Sequence, residues 1–208
     1  MVANVATEKL RLFVAIPMPE TVRKEIIRTR QELQRLVSPT AVRWTRPEQF
    51  HLTLRFLGDV PAERVAALQE AVNAACAGVP ALRLRAQGIG FFPNAGPPRV
   101  IWAGVNDGEA RLADLQRRIE SAVREFAEEP GREKFASHVT LGRCKDLARQ
   151  EVEKLITCAP GVKSRPLGEW TALEIELIRS ELSSAGPRYT TLAAFRLRGT
   201  VSGRMKPL

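Results

Sequence analysis

Residues 50–58 have the sequence FHLTLRFLG and residues 137–143 have the sequence SHVTLGR, so the tetrapeptide His-x-Thr-Leu begins at His51 and again at His138. These are the only two histidines in the chain. Alternate side chains of a β-strand share a face, so each histidine shares a face with the threonine two positions later. Each tetrapeptide therefore predicts a strand that buries apolar residues on one face and presents an imidazole and a hydroxyl on the other.

The sequence around each tetrapeptide follows the same order of predicted elements. Arg11 opens an apolar strand 40 residues before His51, and Arg99 opens a similar strand 39 residues before His138. A helical pattern separates each opening strand from its histidine, and a second helical pattern and a further strand follow. This order predicts two β-α-β-α-β lobes related by a pseudo-two-fold axis.

We expect one α+β domain over residues 1–208, in which the two pseudo-repeat lobes span about 10–90 and 99–198. Residues 199–208 are expected to form a loose C-terminal tail. Equivalent strands of a pseudo-symmetric pair meet near the axis, so we expect both histidines to converge in a groove between the lobes.

The chain carries a net charge of +9 and has a pI near 10.2, which favours an anionic partner. Nucleic acid is the leading candidate. Of the 32 basic residues, 25 are arginine, whose planar guanidinium pairs with phosphate in a bidentate manner. A GC-rich genome explains the same arginine excess equally well.

The three cysteines, Cys76, Cys144 and Cys158, form no C-x-x-C pair, so we expect neither a disulfide framework nor a zinc knuckle. The N-terminal apolar run, residues 12–16, is too short for a signal peptide or a membrane span. We therefore expect a soluble cytoplasmic monomer that does not bind membranes.

Two histidines on opposite sides of a groove suit the opening of a cyclic phosphodiester. One imidazole removes a proton from water while the other protonates the departing ribose oxygen. The hydroxyls of Thr53 and Thr140 can donate to non-bridging phosphate oxygens. Because the motifs look alike, our assignment of His51 as acid and His138 as base is a working hypothesis. Neither motif has a carboxylate pair at ligand spacing beside it, so we expect no metal and no cofactor.

Four segments resemble the two-histidine (2H) phosphoesterase superfamily, in particular its RNA 2′,3′-cyclic phosphodiesterases, which are also called LigT-like proteins or 2′-5′ RNA ligases. The segments are RLFVAIP (11–17), RWTRPEQFHLTLRFLG (43–58), SHVTLGR (137–143) and GPRYTTL (186–192). The resemblance implies a bilobal fold with two antiparallel sheets beside a basic groove, and helices outside. It also implies metal-free hydrolysis of a 2′,3′-cyclic phosphate, on an RNA end or a nucleoside, to a 2′-phosphate.

The family commonly has an arginine five residues after the second histidine, and Arg143 occupies that position. Strict alternation would place Arg143 on the face opposite His138, so we predict that the strand ends or bulges at Gly142. Trp44 is a candidate for stacking a base, with core packing as its alternative. Arg55 shares the strand face of His51 and Thr53 and could steer phosphate, but we expect it to be solvated because arginines are so common in this chain. Tyr189 is either a groove residue or a packing residue at the start of a strand, and we expect the latter.

Three other functions stay open at this point. The same site could perform 2′-5′ RNA ligation or cleave 2′-5′ oligonucleotides. Charge alone is compatible with a non-catalytic RNA-binding module, whose affinity would survive the loss of both histidines. A metal-dependent nuclease is the remaining alternative, and a chelator would abolish its activity.

Overall fold

The computed structural model describes residues 8–128, 135–184 and 186–199, which form nine strands and four helices. The strands are β1 (Lys9–Pro17), β2 (Val42–Trp44), β3 (His51–Pro61), β4 (Leu82–Phe92), β5 (Val100–Asn106), β6 (His138–Cys144), β7 (Pro166–Ala172), β8 (Glu174–Ser183) and β9 (Gly186–Arg196). The helices are α1 (Glu20–Gln34), α2 (Val65–Cys76), α3 (Arg111–Val123) and α4 (Arg149–Val162).

The strands form two antiparallel sheets. The first sheet has the order β3-β1-β8-β9, and the second has the order β2-β6-β5-β4-β7. The mixture of helices and two antiparallel sheets confirms the predicted α+β bilobal fold. The histidine-bearing strands β3 and β6 belong to different sheets and contact each other.

The two sheets do not coincide with the two halves of the sequence. The first sheet takes β8 and β9 from the second half, and the second sheet takes β2 and β4 from the first half. The order β3-β1-β8 nevertheless corresponds to β6-β5-β4, element for element. Each sheet therefore combines strands from both halves of the sequence, and the division into two repeated lobes stays a prediction.

The helices cover the sheets through apolar stripes at helical spacing. In α3 the predicted stripe is fully buried: Leu112, Leu115, Ile119 and Val123. Helices α2 and α3 pack against each other, and they contact β9 and β3 of the first sheet; α1 and α4 contact β7 and β4 of the second. Among the described helices, none is long and apolar enough to cross a membrane.

The two motif strands bury the residues that the alternation predicts. Leu52 and Leu54 of β3, and Val139 and Leu141 of β6, are at most 3% exposed and belong to the main core cluster. These four apolar side chains fix the orientation of both strands, because turning either strand over would expose them to water.

Both motif strands carry a β-bulge at the fourth residue of the tetrapeptide. In β3, Thr53 pairs with Ala15 and Arg55 with Val14, so Leu54 is an extra residue. In β6, Thr140 pairs with Trp102 and Gly142 with Ile101, so Leu141 is the extra residue. The interval between the two bulges equals the interval between the two histidines.

Strand β7 was not predicted from the sequence. It begins at Pro166 and contains Gly168, two residues that usually interrupt strands. Proline is tolerated here because β7 is an edge strand and Pro166 is its first residue.

The predicted C-terminal tail lies outside the described residues, except for Gly199. The amide of Gly199 donates a hydrogen bond of 2.8 Å to the carbonyl of Val79. The chain is therefore anchored up to this residue.

Candidate active site

A groove of about 1110 Å³ runs between the two sheets and collects both His-x-Thr-Leu motifs. Its lining includes all six residues that the sequence nominates: Trp44, His51, Thr53, His138, Thr140 and Arg143. The strands β3 and β6 bring the two histidines together from distant parts of the sequence. The geometry therefore provides one site at which two imidazoles and two hydroxyls can act on the same ligand.

The backbone fixes the tautomer of both imidazoles in the same way. Nδ1 of His51 lies 2.7 Å from the carbonyl oxygen of Gln49, and Nδ1 of His138 lies 2.6 Å from that of Ala136. A carbonyl oxygen only accepts hydrogen bonds, so each Nδ1 carries the proton and donates it. The nitrogen that transfers protons in each ring is therefore Nε2.

Aromatic rings surround both histidines. The ring of His51 lies 4.8 Å from that of Phe13 and 5.5 Å from that of Tyr189. The ring of His138 contacts Phe92 and Trp102, at 5.2 and 6.2 Å between centroids. These contacts restrict the rotation of both imidazoles, as a site for directed proton transfer requires.

Burial lowers the pKa of His51 from its ordinary value of 6.5 to about 4. Desolvation of the charged imidazolium is the largest cause, the carbonyl of Gln49 opposes it, and the nearby charge of His138 adds to the lowering. His51 is therefore neutral at pH 7 in the empty groove, with Nε2 able to accept a proton.

This low pKa predicts a loss of stability in acid that depends on His51. The unfolded chain binds a proton near pH 6.5, but the folded chain binds it only near pH 4. The contribution of the neutral His51 to the free energy of unfolding is therefore complete above pH 6.5. It is lost as the pH falls to 4, and the loss is at most about 3 kcal/mol. Denaturant unfolding at pH 7 and pH 4 should show a smaller loss for His51→Asn than for the wild type. Equal losses of stability in the two proteins would contradict the lowered pKa of His51.

The predicted bulge in β6 is present, one residue earlier than expected. The extra residue is Leu141 rather than Gly142, and both of these residues are buried. After the bulge, Arg143 is exposed and lines the groove as predicted. At the same interval after the bulge of β3 lies Phe56, which is 57% exposed and also lines the groove. Equivalent positions of the two motif strands therefore present a guanidinium in β6 and a phenyl ring in β3 to the groove.

The expectation that Arg55 is solvated is wrong. Its side chain is 9% exposed, and its Nε lies 3.0 Å from Oε2 of Glu120 on α3. The bulge at Leu54 changes the alternation of β3, so Arg55 is directed toward the helix that packs on this strand. Arg55 therefore borders the groove as half of an ion pair.

Trp44 has a second role in packing. It lies on the same face of β2 as the buried Val42, and it packs against the main core. A Cβ on Gly142 would lie 3.0 Å from Cε3 of Trp44, so the indole covers this glycine. Trp44 also borders the groove, and its contact with a base stays a prediction.

The groove residues that were not nominated from the sequence as site residues include Arg11, Arg43, Arg99 and Tyr189. The three arginines cannot be distinguished by sequence among 25 arginines. Tyr189 packs beside Phe13, as expected, but its ring also contacts His51. Only the pairing of the sheets brings these residues to the motifs.

The comparisons with known proteins agree with this site. The LigT like Phosphoesterase family model matches residues 16–102 and 104–189, two segments of similar length. The RNA 2′,3′-cyclic phosphodiesterase of Methanothermobacter thermautotrophicus is 31% identical over 91% of this chain and 100% of its own length. The Thermus thermophilus protein of the same name is 37% identical over 91% of both chains.

Solved structures show the same fold over nearly the whole chain. The protein TT0787 of Thermus thermophilus matches with a TM-score of 0.75 and 31% identity, covering 91% of this chain and 99% of that one. Escherichia coli LigT complexed with 3′-AMP matches with a TM-score of 0.69 and 27% identity, with the same coverage. The chain belongs to the LigT-like phosphoesterases of the 2H superfamily.

Proposed function

We propose that this chain is an RNA 2′,3′-cyclic phosphodiesterase that hydrolyses a terminal 2′,3′-cyclic phosphate to a 2′-phosphomonoester without a metal. The observation that carries the proposal is the pair of imidazoles in one groove, each with Nδ1 bound to a backbone carbonyl. Relatives bearing the name RNA 2′,3′-cyclic phosphodiesterase support the assignment.

In the proposed reaction, a water oxygen bonds to phosphorus and the bond from phosphorus to the 3′-oxygen breaks. One histidine takes the proton of the water, and the other gives a proton to the 3′-oxygen. The hydroxyls of Thr53 and Thr140, together with Arg143, are positioned to stabilise the charge on the non-bridging oxygens. The products are a free 3′-hydroxyl and a 2′-phosphate.

The pKa of His51 favours the reverse of the roles that we assigned from the sequence. A neutral imidazole accepts a proton, so His51 fits the general base and His138 fits the general acid. The negative charge of a bound phosphodiester opposes the lowering of the His51 pKa, which makes His51 a stronger base.

The first test is incubation with a nucleoside 2′,3′-cyclic phosphate, with and without a chelator such as EDTA. We expect equal hydrolysis in both samples, with the nucleoside 2′-phosphate as the only product isomer. Among the described residues there is no cluster of three or more His, Cys, Asp or Glu side chains that could hold a metal ion. Loss of activity with EDTA would contradict the two-histidine mechanism and favour a metal-dependent nuclease.

The same assay separates the remaining alternatives. Binding of RNA without turnover would indicate a non-catalytic RNA-binding module. Faster cleavage of an internal 2′-5′ linkage than of the cyclic phosphate would indicate a 2′-5′ phosphodiesterase or ligase. We further propose that the protein acts as a monomer in the cytoplasm, and sedimentation of the purified protein tests the first part of this statement.

A further inference from the structure

Three arginines gather at one end of the groove, and we call them the arginine cluster: Arg11 of β1, Arg43 of β2 and Arg143 of β6. Arg43 and Arg143 are directly opposite each other in the antiparallel pair β2-β6, so their side chains share a face. Both are exposed, and both line the groove. Arg11 approaches from the first sheet, so the cluster forms only where the two sheets meet.

Asp59 lies opposite Arg11 in the pair β1-β3, whereas Arg43 and Arg143 lie opposite each other in the pair β2-β6. Like charges directly opposite each other in a sheet destabilise the folded chain. Within the part of the chain that the structure describes, none of the three forms an ion pair with a carboxylate, whereas arginines elsewhere, such as Arg64 and Arg165, do. This arrangement is suited to an anion that is supplied by a ligand.

Two residues of β9 shape the space around the cluster. A Cβ on Gly186 would lie 3.2 Å from Nη2 of Arg43, so this glycine lets the guanidinium lie close to the strand. The positive charges of Arg143, Arg11 and Arg43 all act on the phenol of Tyr189. All three arginines are therefore close enough to Tyr189 for their charges to lower the pKa of its phenol, against the raising effect of burial.

Tyr189 also sets the distance between the cluster and the acid–base pair. Its ring lies 5.5 Å from the ring of His51, and the charges of the three arginines act on its phenol. An anion bound by the arginine cluster would therefore be separated from a phosphate beside His51 by about the length of the Tyr189 side chain. In an RNA strand, the next phosphate is separated from the terminal one by a single nucleoside.

We propose that the arginine cluster binds the internucleotide phosphate on the 5′ side of the terminal cyclic phosphate. This inference rests on the proposed function and adds a binding position for a second phosphate. It predicts that an RNA strand of two or more nucleotides is a better substrate than a mononucleotide. In this proposal Arg143 contacts both the terminal cyclic phosphate and the internucleotide phosphate. Arg43 and Arg11 bind only the internucleotide phosphate.

The test compares kcat/KM for three substrates: a nucleoside 2′,3′-cyclic phosphate, a dinucleotide with the same cyclic end, and that dinucleotide with an uncharged methylphosphonate linkage. We expect the charged dinucleotide to be the best substrate by about tenfold, the size of one charged hydrogen bond. The methylphosphonate should remove this advantage. Because this comparison requires no variant, it does not depend on the folding of a mutant.

The variant Arg43→Ala should lower kcat/KM about tenfold on the charged dinucleotide and much less on the methylphosphonate. It should also reduce the salt dependence of binding by about 0.7 in the slope of log K against log salt concentration. Arg188→Ala is the matched control, because Arg188 precedes Tyr189 on β9 and is exposed outside the groove lining. It removes the same charge and should not change the preference.

Three results would overturn the inference alone: a dinucleotide no better than the mononucleotide, a methylphosphonate as good as the phosphate, or equal losses in Arg43→Ala and Arg188→Ala. In each case the mononucleotide is still hydrolysed, so the proposed function stands. Failure of the wild type to hydrolyse all three substrates would overturn the proposed function and the inference with it.

Discussion

Replacing His51 or His138 by alanine is expected to lower kcat for a nucleoside 2′,3′-cyclic phosphate by about 10²- to 10⁴-fold in each variant. Each substitution removes one of the two Nε2 atoms that transfer protons, and the described groove contains no other histidine. The double variant should lose little more than either single variant, because the acid and the base act as a unit.

Circular dichroism and thermal unfolding serve as controls for these variants, since both histidines are only partly buried and their removal should leave the fold intact. Single-turnover measurements should show that chemistry, rather than product release, has slowed. Full activity in either single variant would exclude the acid–base pair.

The second large effect is expected from the threonines. Thr53→Val and Thr140→Val should each lower kcat by about 10²- to 10³-fold, the cost of losing one hydrogen-bond donor to the charge that develops in a transition state. Valine removes the hydroxyl with little change of volume, so KM should change less than kcat.

Thr190→Val is the matched control for the threonine variants, because Thr190 is an exposed threonine of β9 that does not line the groove. Its activity should equal that of the wild type. If Thr53→Val and Thr140→Val also retained wild-type kcat, the hydroxyls would have no part in catalysis, and the groove would have to stabilise the phosphate through its arginines alone.

Local sequence patterns predicted the features that depend on local geometry. Alternation placed His51 and Thr53 opposite Leu52, and helical spacing identified the buried stripe of α3. The position of Arg143 required a bulge, and one is present. These predictions succeed because the periods of strands and helices are fixed by backbone geometry.

Long-range pairing decided the features that the sequence did not predict. The exchange of β4 and β8 between the sheets depends on which strands pair, and no local pattern specifies it. Arg43 lies beside Arg143 only through the register of the pair β2-β6. The expectation that Arg55 is solvated was wrong because its ion pair with Glu120 depends on the packing of α3 against β3, which no local pattern specifies.

The most direct test of the two-histidine mechanism is the dependence of kcat/KM on pH for the wild type and both alanine variants. The wild type should give a bell-shaped curve, with a rise as the base loses its proton and a fall as the acid loses its own. With His51 as base and His138 as acid, His51→Ala should lose the rise at low pH, and His138→Ala should lose the fall at high pH. A bell that persists unchanged in either variant would contradict the account.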